Sequence, residues 1–242
     1  MTSTLKIDTI EPEGATTTLT VGESGQNTVI AGAGIKANVA KDAGANALFT
    51  SNGSGVLSGV NAGFGSAQVL LSSQTFTDQA TVSFTSDIDS TYKEYVFEYI
   101  NINPATDATE FSFQASIDGG SNYNVTLTST AFQAFHTEDG TASSLGYNSG
   151  EDQAQGTSFQ ILAGLVGNGA DECAAGTLHL FNPSDTIQVK NWYAETQFYR
   201  YVDRSNNSFF AGYFDTTSAI NAVQFKFSSG NFDGTIKMYG IK

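Results

Sequence analysis

The sequence predicts an all-β chain in two parts, an extended Gly-rich N-terminal stalk and anchor over residues 1–65 and a C-terminal antiparallel β-sandwich of jelly-roll type over 66–242, assembling as a trimer. Three observations predict it. Of the 18 Phe, 10 Tyr and 1 Trp in the 242 residues, the first 65 positions hold only Phe49 and Phe64. From Val69 onward apolar and polar residues alternate, the period of half-buried strands. Between those runs stand Gly, Asn, Asp and Pro clusters of the kind that reverse a chain.

The elements follow in order. Thr4–Ile10 alternates and is stopped by Glu11-Pro12-Glu13-Gly14, which predicts a strand whose apolar residues Leu5, Ile7 and Ile10 dock the chain. Next, apolar residues recur at a constant interval, Val21, Ile30, Val39, Leu48 and Leu57. One apolar contact per repeat, on short strands joined by glycine turns, suits a narrow stalk whose central seam is shared by three chains. A segment this poor in aromatics buries too little apolar surface to offset its own chain entropy, so its order must come from assembly.

Strands are then predicted at Val82–Phe84, Tyr95–Ile102, Phe111–Ile117, Val125–Leu127, Phe159–Leu162, Gly176–Phe181, Ile187–Phe198, Phe209–Phe214, Ala222–Ser228 and Thr235–Tyr239. Turns are predicted at Asp118-Gly119-Gly120, Asn103-Pro104, Glu138-Asp139-Gly140, Asn182–Asp185, Ser229-Gly230-Asn231 and Asp233-Gly234. No segment offers a convincing helical stripe with caps, and the 157–175 region alone is ambiguous. Strands of this number and spacing build two packed sheets.

The net charge is −14, from 24 acidic and 10 basic residues, which repels phosphate backbones and anionic headgroups. Nucleic acid and membrane insertion are therefore not expected. The N-terminus lacks the apolar core of a signal peptide, and no run approaches the roughly 18 apolar residues of a membrane span. The expectation is a soluble protein made in a cytoplasm. Cys173 is the sole cysteine, which excludes an internal disulfide and reads as an inert thiol. The triplets at Asn52, Asn124 and Asn206 match the glycosylation pattern but have no secretion signal to serve them.

Catalytic constellations are not evident, so no enzyme and no cofactor is predicted. His136 and His179 are distant in sequence, and there is no nucleophile elbow or phosphate loop. Two histidines and one cysteine do not make a four-ligand zinc site without carboxylates. Asp87, Asp89, Asp118, Glu138, Asp139, Glu151 and Asp152 lie in predicted loops without the spacing of a calcium hand, and no carboxylate pair is singled out for glycoside hydrolysis.

One stretch has recognition chemistry: Trp192-Tyr193 with Phe198 through Phe210, where aromatic faces stand beside Asp, Asn and the two arginines of an acidic chain. Aromatic planes stack on sugar rings while polar neighbours bond hydroxyls. Alternation assigns Trp192, Phe198, Phe209 and Phe210 to a core or interface. Tyr199, Tyr201, Arg204, Asn206 and Asn207, near the turn, are the candidate receptor- or glycan-binding residues.

The segments Ser3–Ile10, Ile88–Thr106, Ser116–Val125, Gly176–Pro183 and Gly234–Ile241 resemble fibre-like virion structural proteins of tailed, marine-type bacteriophages. The likeness spans most of the chain and includes no catalytic motif. It implies a virion location, an N-terminal segment attached to other virion proteins, a β-sandwich head and trimeric assembly. Two roles follow: a tail fibre or similar appendage whose head binds a host-surface glycan or protein, or a head fibre, decoration or connecting protein that binds no receptor.

Overall fold

Alternating residues place one row of side chains on each face of a strand, so runs as long as those after residue 67 demand a partner layer for their apolar row. The computed structural model describes residues 67–242 together with the strand backbone at Val39–Lys41, Ala47–Ser51 and Leu57–Ser58. The chain divides into two units, Met1–Phe64 and Gly65–Lys242.

In the first unit β1 (Val39–Lys41), β2 (Ala47–Ser51) and β3 (Leu57–Ser58) form an antiparallel sheet in the order β1-β2-β3, with an irregularity after Ala40. Val39, Leu48 and Leu57 fall one on each strand. Val21 and Ile30 of the expected seam, and Leu5, Ile7 and Ile10 of the expected anchor, lie outside the described residues.

The second unit is antiparallel β-structure with no helix among the described residues, as the alternation predicts. Its strands are β4 (Gln68–Gln79), β5 (Val82–Phe84), β6 (Glu94–Pro104), β7 (Thr109–Ser116), β8 (Leu127–Thr137), β9 (Ser143–Tyr147), β10 (Gln160–Val166), β11 (Ala174–Phe181), β12 (Lys190–Arg200), β13 (Arg204–Phe214), β14 (Ala222–Phe227) and β15 (Phe232–Ile241). They form one sheet folded over on itself, nearly barrel-shaped. The larger layer runs β4-β15-β6-β11-β12-β13-β8-β9 and the smaller β10-β7-β14-β5. The layers join where Val166 of β10 pairs with Arg200 at the end of β12.

Aromatic rings fill the space between the layers. Phe97 of β6 lies 5.5 Å from Phe225 of β14, Tyr99 lies 5.3 Å from Phe111 of β7, and Phe113 meets Trp192 of β12 at 5.1 Å. Each such ring, fully buried, contributes roughly 1.5–3 kcal/mol by leaving water. Tyr99 fits because β11 carries Gly176 opposite it, where a Cβ would come within 2.8 Å of the ring. The alternation of β6 breaks at Asn101, whose φ of 52° marks a bulge, so that Ile102 rather than Asn101 returns to the core. Both neighbouring strands shift register there.

The structure departs from the predicted elements in several places: β6 runs through the Asn103-Pro104 turn, β12 begins at Lys190 rather than Ile187, and β13 begins at Arg204 rather than Phe209. Val125 is buried but outside a strand; β8 starts at Leu127 and continues to Thr137. β4 and β9 are strands that the sequence reading did not delimit. In the ambiguous 157–175 region, by contrast, β10 overlaps the strand predicted at Phe159–Leu162 and there is no helix. Asp233-Gly234 is no turn but an irregularity inside β15, with Gly234 at φ 150° lying against Ile102 and the Ile100 carbonyl.

Candidate functional site

β12 and β13 pair without interruption from Lys190↔Phe214 to Arg200↔Arg204, leaving Tyr201-Val202-Asp203 as a three-residue connection. Asp203 closes it at φ 51°, a left-handed conformation that Asp tolerates better than most residues. The tip is tied on both sides. Glu138 N–H donates to the Asp203 carbonyl (3.0 Å), and Tyr201 N–H donates to that of Leu165 (3.3 Å).

Because β12 alternates, this hairpin end has two chemically different faces. On the outer face the Tyr199 hydroxyl donates to Asp203 Oδ1 (2.9 Å), Gln197 Nε2 to Ser205 Oγ (2.8 Å) and Asn207 Nδ2 to Glu195 Oε1 (3.1 Å). The Asp203 carboxylate, with Glu138 beyond it, pushes the Tyr199 phenol well above its ordinary pKa. A depression of about 450 Å³ opens between Thr137, Glu138, Asp139, Val202 and Asp203, and a second of about 210 Å³ beside Tyr199, Gln197 and Cys173. Burial pushes the Cys173 thiol up, away from the reactive thiolate.

The inner face carries both arginines. The Arg204 guanidinium lies 3.9 Å over the Phe135 ring, and its Nε donates to Asn206 Oδ1 (2.8 Å). The Asn206 amide in turn donates to Gln133 Oε1 (2.9 Å). Arg200 Nε and Glu151 Oε2 are buried without a hydrogen-bond partner among the described residues. Burial pushes the Glu151 carboxyl up, against the pull of Arg200 and Arg204.

Of the five residues expected to recognise a ligand, Tyr201 is exposed, and Tyr199, Arg204 and Asn207 are half-buried at the same tip. Asn206 has no exposed surface, so its expected contact with a ligand gives way to holding Arg204. Trp192, Phe198 and Phe210 are core residues, while Phe209 is half-buried on the outer face. His179 accounts for itself structurally: Nδ1 meets Glu94 Oε1 at 2.7 Å and the ring stacks on Tyr193 at 4.4 Å. Asp118 is spent within its turn, bonded to Ser116 and Asn122 and held down to about 2.

Sequence reasoning named Tyr193 and Phe209 but missed Phe132 and Tyr147, which extend them into a row of aromatics on the outer face of the larger layer. Phe132 of β8 stacks on Phe209 at 5.0 Å and pairs across the strands with Tyr147 of β9, which is 61% exposed. Tyr193 stands one row away, also exposed. The signal was available in the spacing of Phe132 from Thr130 and Ala134, but only once β8 is known to run that far. No helix of the described residues is long and apolar enough to cross a membrane. Comparisons with protein-family models, with curated proteins and with solved structures find no match for the chain.

Proposed function

We propose that this chain is a structural protein of a tailed-bacteriophage virion, a tail fibre or fibre-like appendage whose head touches the host surface through the tip of the β12–β13 hairpin. The observation that carries the reading is that tip, where Tyr201 is exposed and Tyr199, Arg204 and Asn207 are half-exposed, with an acidic depression at the connection and a mainly apolar one beside Tyr199. Shallow, polar and aromatic surfaces suit weak contact with hydroxyl-rich ligands better than enclosed catalysis does. The strand order supports a jelly-roll head. Setting aside the β8–β9 and β12–β13 hairpins, β4-β15-β6-β11 faces β5-β14-β7-β10, the paired Greek-key order of that fold.

In this reading residues 1–65 attach the head to the particle. Leu5, Ile7 and Ile10 contact other virion proteins, and Val21, Ile30, Val39, Leu48 and Leu57 line the seam of a homotrimer. The acidic charge keeps the protein off nucleic acid and anionic membrane. Neither enzymatic activity nor a cofactor is part of the proposal.

A second reading is favoured by the exposed row of Phe132, Tyr147 and Tyr193, which suits a neighbouring subunit. There the protein is a head fibre, decoration or connecting component without a receptor. Cryo-electron microscopy of intact virions tests both. An N-terminus docked on the particle with a bare, outward hairpin tip supports attachment; a tip buried against a neighbour overturns it in favour of the second reading.

A further inference from the structure

We infer that Arg200 and Arg204 bind the acidic group of the ligand, a carboxylate or sulfate borne by a saccharide. The inference rests on the attachment reading for the saccharide and on the following geometry for the acid. The chain has only these two arginines among its 242 residues, and they occupy directly paired positions at the end of β12 and β13. Like charges set opposite each other across a strand pair destabilise the sheet unless an anion lies between or beside them. Glu151 pulls on both electrostatically, but among the described residues no carboxylate lies within ion-pair distance of either arginine. The ion pairs among the described residues are His179–Glu94 and Lys237–Glu98, and neither involves an arginine.

Both guanidinium groups are also prepared for a partner. Arg204 is fixed by the Phe135 ring on one side and by Asn206 at Nε, an amide itself held by Gln133. That support fixes the plane of the fork, and a planar fork matches the two oxygens of a carboxylate or sulfate. Arg200 brings a buried, unpartnered Nε beside it, where the two layers meet. Burial and the neighbouring Arg200 depress Arg204, and Glu151 offsets them only in part. Glu151 is the nearest internal candidate, yet it forms no ion pair with either arginine and its Oε2 is unpartnered. The acids Glu138, Asp139 and Asp203 line the depression at the connection, which repels an anion there.

Two arginines give two Nε–Hε resonances, so binding is read at the proposed atoms in the 15N-labelled full-length chain. Trigalacturonate supplies the carboxylate probe, a sulfated galactan disaccharide the sulfate probe, and maltotriose the neutral control. The expected result is a saturable shift of both resonances with one anionic probe and none with maltotriose. Binding should fall about tenfold or more in Arg200→Gln and Arg204→Gln, the value of a charge-assisted hydrogen bond, and hold or rise in Glu151→Gln. Arg204→Lys, which keeps the charge, controls for misfolding of the glutamine variant, with thermal melting recorded for each. No shift with either anionic probe at tens of millimolar, or a binding midpoint that is unchanged in Arg200→Gln, overturns the inference. Host-cell adsorption that continues without such shifts also overturns it and leaves attachment through neutral groups standing. Shifts with no adsorption uphold the anion site and sink the attachment reading.

Discussion

Phe225 touches five other rings, Phe84, Phe97, Tyr99, Phe111 and Phe113, from both layers of the head. Its removal leaves a void that stiff strands cannot collapse around, so Phe225→Ala is expected to cost about 3–5 kcal/mol, measured by chemical denaturation. Two carboxylates make opposite predictions against pH. Asp118 has its folded pKa lowered to about 2 by Ser116 and Asn122. Its contribution is present above the unfolded value near 3.9 and is lost as pH falls toward 2. Asp118→Asn should therefore flatten the decline of melting temperature across that window. Glu151 is raised, chiefly by burial, so its ionisation in the fold costs stability that appears as pH rises. Glu151→Gln should melt higher than the parent at pH 7, with the gap closing toward pH 4. Neither effect was legible in the sequence, where both were loop acids; burial and turn partners distinguish them.

The β12–β13 hairpin shows where element-level reading succeeds and where it stops. β12 was legible because Trp192, Ala194, Thr196 and Phe198 alternate with exposed neighbours, whereas β13 was delimited only from Phe209. Asn206 was misjudged because a polar residue on a core row is invisible until its partner is known, and Gln133 lies on a different strand. β9 was missed because all of its residues are exposed, which erases the alternation that announces a strand. At the tip, Tyr201 is exposed with the Arg200 guanidinium 5.9 Å from its ring centre, and the Tyr199 hydroxyl bonds to Asp203. Tyr201→Ala should leave stability within about 0.5 kcal/mol in a melting experiment while weakening adsorption to host cells. Unchanged adsorption would remove the tip from recognition.

At the scale of the molecule, the all-β class was legible from period and turns, whereas the strand order and the continuity of the two layers as one folded-over sheet were not. Pairing such as Gln68↔Ile241 joins residues that no local pattern relates. The proposed trimer belongs to this scale too. Charges at Ile30→Asp and Leu48→Asp would be desolvated in a shared seam, so light scattering should report a fall to about one third of the parent mass. A parent that is already monomeric, or a variant of unchanged mass, refutes the seam.

β15 lies between β4 and β6, pairing with both along nearly its whole length. On the ribosome, β4 emerges first and has no sheet to join until β15 follows, some 160 residues later by the Thr75–Thr235 hydroxyl bond. The head therefore closes only after nearly all of it has been made, and the waiting β4 edge is open to a chaperone or to a neighbouring nascent chain during that interval.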